Sequence, residues 1–164
     1  MSRTACGDWN DSPYRAYIER RGLKDIMIVG RVSDEDLPRY YRSAQVFCSP
    51  AVDGESFGVV LLEAMASGVP VVASNIEGYR QVVNDEREGL LVPPRDAEAL
   101  ASAVCRLLQD RELAARLGAT GLETALDYSW TRIAEQVLDF YARTGTRSIP
   151  AMPSSLYAPT GLVT

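Results

Sequence analysis

Residues 55–73 read Glu55-Ser56-Phe57-Gly58-Val59-Val60-Leu61-Leu62-Glu63-Ala64-Met65-Ala66-Ser67-Gly68-Val69-Pro70-Val71-Val72-Ala73. Val59 to Ser67 is an almost wholly apolar helical stretch closed by Gly68 and Pro70, which predicts a buried helix. Val69 to Ala73 follows at once as a short, valine-rich run of the kind found in strands buried on both faces. A buried helix feeding a buried strand implies βαβ winding, because parallel strands need crossover connections.

The same alternation continues on both sides. Upstream, Pro13 to Gly22 predicts a helix ending in a glycine cap, and Asp25 to Val29 (DIMIV) a short buried strand. Ser33-x-x-Asp36 has capping-box spacing ahead of a helix over Leu37 to Ala44, with Pro38 tolerated in its first turn. Gln45 to Ser49 predicts a strand ended by Pro50. Downstream come a short helix around Tyr79 to Val83, a strand over Gly89 to Val92, and a helix capped by Asp96 that runs to about Leu108. Further helices fit Glu112 to Leu126 and Trp130 to Ala142, with Tyr128 and Trp130 expected to anchor the last one to the core. The sum is an α/β domain over residues 1–144, a parallel sheet with helices on both faces, half of a doubly wound fold. Residues 145–164, rich in Pro, Ser, Thr and Gly without a period, are expected to be a disordered tail.

The 164 residues suffice for one domain with a real core, and 46% hydrophobic against 24% charged residues excludes a disordered chain. A net charge of −5 without any basic arm argues against nucleic-acid binding. Cys6, Cys48 and Cys105 lie far apart, so neither a disulfide framework nor a zinc site is indicated, and no metal is expected. The chain has no histidine, which excludes Ser-His-Asp hydrolysis within it. Its apolar runs break before the roughly 18 residues of a membrane span, and its first residues lack a signal peptide's apolar stretch, so a cytoplasmic location is expected.

In sheets of this kind ligands sit beyond the carboxyl ends of the strands, which here means the loops 30–34, 50–58 and 74–78. The middle loop is the most unusual, because Gly54 and Gly58 bracket an acid, a hydroxyl and an aromatic ring just before a helix. A helix N-terminus offers unpaired N–H groups and about half a positive charge, an anion site that needs no Lys or Arg. Glu63 is the second oddity, a lone carboxylate on a helix suited to burial, which therefore needs hydroxyl or amide donors. It lies roughly 9 Å along the axis from Phe57, a separation that suits a ribose when phosphates occupy the helix start. Simpler readings stay open at this point. Glu63 could pair with a surface cation, Glu55 could merely favour a helix N-terminus, Phe57 and Gly58 could serve packing, and Asp34 could belong to the capping-box turn.

The whole stretch resembles the E-x7-E signature of glycosyltransferase family 4, which includes mannosyl- and glucosyltransferases and enzymes like sucrose-phosphate synthase. The resemblance runs from about Ile28 to Tyr141 and takes in Gly30-Arg31-Val32-Ser33, Tyr41-Arg42-Ser43-Ala44, Ser49-Pro50, Gly89-Leu90-Leu91-Val92-Pro93 and Tyr128-Ser129-Trp130. It implies a Rossmann-like domain, the C-terminal, donor-binding half of the two-domain GT-B architecture, working without metal or cofactor. By that similarity Glu55 is the catalytic-site carboxylate facing the transferred sugar. Ser56, Phe57, Gly58 and Val59 line the donor, the last three through backbone amides; Glu63 holds the ribose, and Val32 and Asp34 touch the base. Transfer would be retaining, served by positioning and by stabilising the departing diphosphate of a nucleoside diphosphate sugar.

The departures matter equally. The family's Gly-rich turn with its phosphate-gripping Arg and Lys has no counterpart in residues 1–11, and the acceptor site and a family His belong to an N-terminal domain. The expectation is a chain truncated at its N-terminus, incompetent alone, whose partner is that missing acceptor domain, through which it could associate peripherally with a membrane. The alternatives are a non-catalytic nucleotide-sugar-binding or scaffolding module that pairs with a separate N-terminal domain, and an epimerase of the same architecture. A strand absent upstream would also leave a sheet edge exposed.

Overall fold

In the computed structural model, residues 13–144 are described. Three strands, β1 (Phe47–Ser49), β2 (Val71–Ser74) and β3 (Gly89–Val92), form a parallel sheet in the order β1-β2-β3. Phe47 pairs with Val71 and Val71 with Gly89, so the three strands start level. Seven helices surround them: α1 (Pro13–Arg20), α2 (Leu37–Ser43), α3 (Val59–Ala66), α4 (Glu77–Arg80), α5 (Ala97–Gln109), α6 (Arg111–Asp127) and α7 (Trp130–Arg143).

The central strand accounts for the two-layered core. Every residue of β2 is buried, and because side chains alternate along a strand, its two faces feed two clusters. Val71 and Ala73 pack with Leu61, Ala64 and Met65 of α3 and with Tyr79, Val82 and Val83. Val72 packs on the opposite face with Leu90, Val92, Leu107, Leu113 and Leu117 under α5 and α6. Helix α6 runs along α3, where a β-carbon on Gly118 would sit 2.5 Å from the Gly68 carbonyl oxygen. Asp96 and Asp110 cap α5 and α6 by accepting from the amides of Ala99 and Leu113, both at 2.9 Å.

A buried acid unforeseen in the sequence joins the layers. Glu88 is 1% exposed; it accepts from the Asn84 amide at 2.8 Å and from Thr124 Oγ1 of α6 at 3.3 Å, and Arg87 lies 3.2 Å from it. Its burial is tolerated because each oxygen has donors.

Three expectations are corrected. Asp25 to Val29 is not a strand: Met27 is 84% exposed, and no neighbouring strand pairs with the segment among the described residues. An apolar run becomes a strand only where a partner accepts its ladder. The short helix is Glu77–Arg80, beginning two residues earlier than expected and including Tyr79, with Gln81 and Val82 forming a turn after it. Trp130 does not anchor α7, since it is 89% exposed and α7 buries no residue. Tyr128 does the anchoring instead, stacking edge-on against Phe57 at 5.7 Å and donating to the Gln81 carbonyl at 3.1 Å. The glycine cap of α1 forms, with Gly22 at φ +64° and the Leu23 amide reaching the Ile18 carbonyl. The expected tail, 145–164, lies outside the described residues, as do residues 1–11.

Gly89 starts β3 directly against β2, and a β-carbon there would stand 2.7 Å from the Val71 carbonyl oxygen and 2.4 Å from Val71 Cγ2. Gly89→Ala is expected to cost about 1–3 kcal/mol of stability, read from urea denaturation. At the surface, Arg106 bonds Glu86 at 2.6 Å and holds its carboxyl below the usual carboxylate range. Because the folded value is the lower one, this contribution is present above the ordinary carboxyl pKa and disappears as pH falls through the folded value. Arg106→Gln should therefore narrow the gap in urea midpoint between pH 7 and strongly acid solution.

Candidate functional site

The loop 50–58 leaves the carboxyl end of β1 and delivers the chain to α3, and its shape is fixed by backbone that no side chain could replace. Gly58, the N-cap of α3, has φ +89°, and a β-carbon there would lie 2.8 Å from Cδ1 of Tyr79. No side chain caps the helix. Across the loop, the Glu55 carbonyl oxygen sits 2.1 Å from where a β-carbon of Gly78 would stand, so loop and α4 touch backbone to backbone. Gln81 Nε2 donates to the Ser56 carbonyl at 3.3 Å.

Within this frame the side chains take distinct positions. Glu55 and Ser56 are exposed, Phe57 is half-buried against Tyr128, and Val59 is 47% exposed at the helix start. Tyr79 is buried beneath the loop, its hydroxyl 2.5 Å from Ser49 Oγ. Burial pushes the Tyr79 phenol up, the Ser49 bond pulls it down, and the Glu55 carboxylate adds to the rise. Glu63, half-buried on α3, accepts a hydrogen bond from Tyr41 Oη at 3.0 Å.

Two hollows flank α3 and share Glu63 as a wall. One, of about 470 Å³, lies towards α2 and is lined by Asp34, Leu37, Tyr41, Arg42, Glu63 and Ser67. The other, of about 590 Å³ and mostly apolar, lies towards α6 and α7 and includes Phe57, Val59, Leu62 and Trp130. Asp34 and Glu63 thus meet in one cleft and Phe57, Val59 and Glu63 in the other, whereas Glu55, Ser56 and Val32 line neither. Asp34 stands beside the turn that starts α2, where Ser33 Oγ donates to Asp36 and accepts its amide. That bond, with Arg39 next, holds the Asp36 carboxyl below its usual range.

Two residues of the site escaped the sequence reading. Tyr41 follows Leu37 by one helical turn, so the inward face of α2 could have flagged it. Tyr79 carried no local signal, because its role depends on a glycine 21 positions earlier in sequence.

An α/β domain of this kind, with a three-stranded parallel sheet beneath helices and an apolar helix starting beside the strands' carboxyl ends, has the GT-B fold. Residues 4–124 match the family described as Glycosyl transferases group 1, and the chain belongs to that family of transferases. It is 42% identical over 124 residues to the phosphatidyl-myo-inositol mannosyltransferase of Mycobacterium leprae, covering 76% of this chain and 33% of that protein. Among solved structures it resembles the sucrose-phosphate synthase of Thermosynechococcus elongatus, with TM-score 0.73 and 39% identity over 80% of this chain and 33% of that one. The Anabaena protein HepE in complex with UDP-glucose shares the fold, with TM-score 0.72 and 23% identity over 79% of this chain and 36% of that one. The chain spans about a third of the length of the relatives it matches, and its fold is that of the C-terminal half of a GT-B glycosyltransferase. Among the described residues no helix is long and apolar enough to cross a membrane.

Tyr41→Phe removes the hydroxyl that Glu63 accepts. A double-mutant cycle with Glu63→Ala, read by urea denaturation, should give a coupling of about 1 kcal/mol.

Proposed function

We propose that this chain is the donor-binding half of a retaining hexosyltransferase, holding a nucleoside diphosphate sugar at the start of α3. The diphosphate lies against the amides of Phe57, Gly58 and Val59, where the uncapped helix supplies partial positive charge. Glu55, with Ser56 beside it, accepts hydrogen bonds from sugar hydroxyls. Glu63, oriented by Tyr41, takes the ribose hydroxyls, and the base lies beside Asp34 at the cleft, reaching Val32 of the same loop just outside it. The observation that carries this reading is the cleft in which a half-buried Glu63 and Asp34 meet, on the helix whose start follows Glu55. The mannosyltransferase, sucrose-phosphate synthase and UDP-glucose-bound relatives support the class of donor.

In this arrangement the protein's contribution to catalysis is electrostatic. Charge grows on the departing diphosphate as the glycosidic bond breaks, and amides already aimed at that position stabilise it without reorganising. The chain spans about a third of its relatives' length, and a second, N-terminal domain forms the acceptor site and handles the proton there. The isolated chain accordingly binds donor but transfers little sugar.

Calorimetric titration with UDP, GDP, UDP-glucose and GDP-mannose tests this. One nucleotide should bind. Glu63→Ala should weaken nucleoside diphosphate and sugar nucleotide alike by about tenfold or more, and Glu55→Ala only the sugar nucleotide. Failure of every nucleotide to bind would sink the reading, and robust transfer by the isolated chain would refute its dependence on a second domain.

A further inference from the structure

Loop 50–58 begins where β1 ends, at Ser49, and finishes at Gly58, and one buried side chain touches both ends. Tyr79 bonds Ser49 Oγ through its hydroxyl at 2.5 Å, while its ring edge occupies the space that a side chain on Gly58 would need. Two nearby residues hold the last part of the loop, Gly78 of α4 by backbone contact with Glu55 and Gln81, just after α4, by its bond to the Ser56 carbonyl. An apolar ring would fill the same volume, so packing alone does not call for a hydroxyl here. What the hydroxyl adds is a fixed separation between the strand tip and the helix start, and hence a fixed path for the residues strung between them.

We propose that Tyr79 is a positioning residue that staples the two ends of this loop and thereby sets where Glu55 stands relative to the start of α3. The proposal rests on the donor-site reading for its functional meaning. The staple itself can be tested without any ligand. At 1% exposure the phenol has no water to replace the Ser49 bond, so cutting the bond frees the strand tip from the helix start. The ring can stay in place while this happens.

Tyr79→Phe and Ser49→Ala cut the same bond from opposite sides and keep the packing. In backbone 15N relaxation of the unliganded 164-residue chain, each should lower the order parameters of residues 51–58 from the rigid range of about 0.85 towards about 0.6, with no further loss in the double variant. The strands should be unaffected. In calorimetry, each should reduce the preference for the sugar nucleotide over its nucleoside diphosphate, since only the sugar-facing carboxylate is displaced. Unchanged order parameters at 51–58, or a fall spread evenly over the chain, overturns the proposal. So does a drop of both affinities by the same factor. Glu55→Ala separates the two ideas: if it leaves the preference intact, the donor reading of Glu55 fails, while the relaxation data still judge the staple.

Discussion

Two missing β-carbons allow the loop that carries Glu55 to lie where it does. At Gly58 the place of a side chain is taken by the Tyr79 ring, and at Gly78 by the carbonyl of Glu55. The loop is thereby pressed onto α4, and the start of α3 is aimed along the carboxyl ends of the strands. The arrangement around it follows from this contact. Phe57 turns towards Tyr128, Tyr128 ties α6 to the turn after α4, and Glu63 is carried one and a half turns down α3 to face Tyr41. Any residue larger than glycine at either position would lift the loop and move the helix start with it.

The architecture was legible wherever burial was continuous. Val59 to Ala73 announces a buried helix and a buried strand because nearly every side chain is apolar, and Asp96 announces a cap because its neighbours form an amphipathic helix. Reading failed where an element depends on something outside its own residues. Asp25 to Val29 has the composition of a strand, yet a strand is a pairing and not a property of one segment. Trp130 looked like an anchor by size alone, whereas the ring that packs belongs to Tyr128, two residues earlier. Glu88 was overlooked because a carboxylate between Arg87 and Gly89 reads as surface, and its donors, Asn84 and Thr124, are distributed over 40 positions.

Of the candidate site, the acids were legible as oddities of the sequence and their supports were not. Glu63 stood out as one charge among apolar neighbours, and its need for a hydroxyl donor is met by Tyr41, 22 positions away. Glu55 stood out by its glycine brackets. Asp34 shares the cleft with Glu63 whereas Val32, in the same loop, does not, a distinction set by how the turn at Ser33 and Asp36 is hydrogen-bonded. Tyr79 through its ring and Gln81 through its side-chain amide meet the backbone of a loop more than 20 residues earlier, and no local pattern of residue types encodes such a contact.

Because Glu63 forms part of both hollows beside α3, its carboxylate stands between a polar cleft and an apolar groove that ends at Trp130. Any surface that closed over the groove would displace water from one side of that carboxylate and lower the local dielectric constant. Each hydrogen bond Glu63 accepts from the cleft side would then strengthen, since the same charge acts through a less polarisable medium. Covering a greasy strip on one flank of the helix would thus tighten the bond that Glu63 accepts from Tyr41 on the other, with no residue of the cleft having to move.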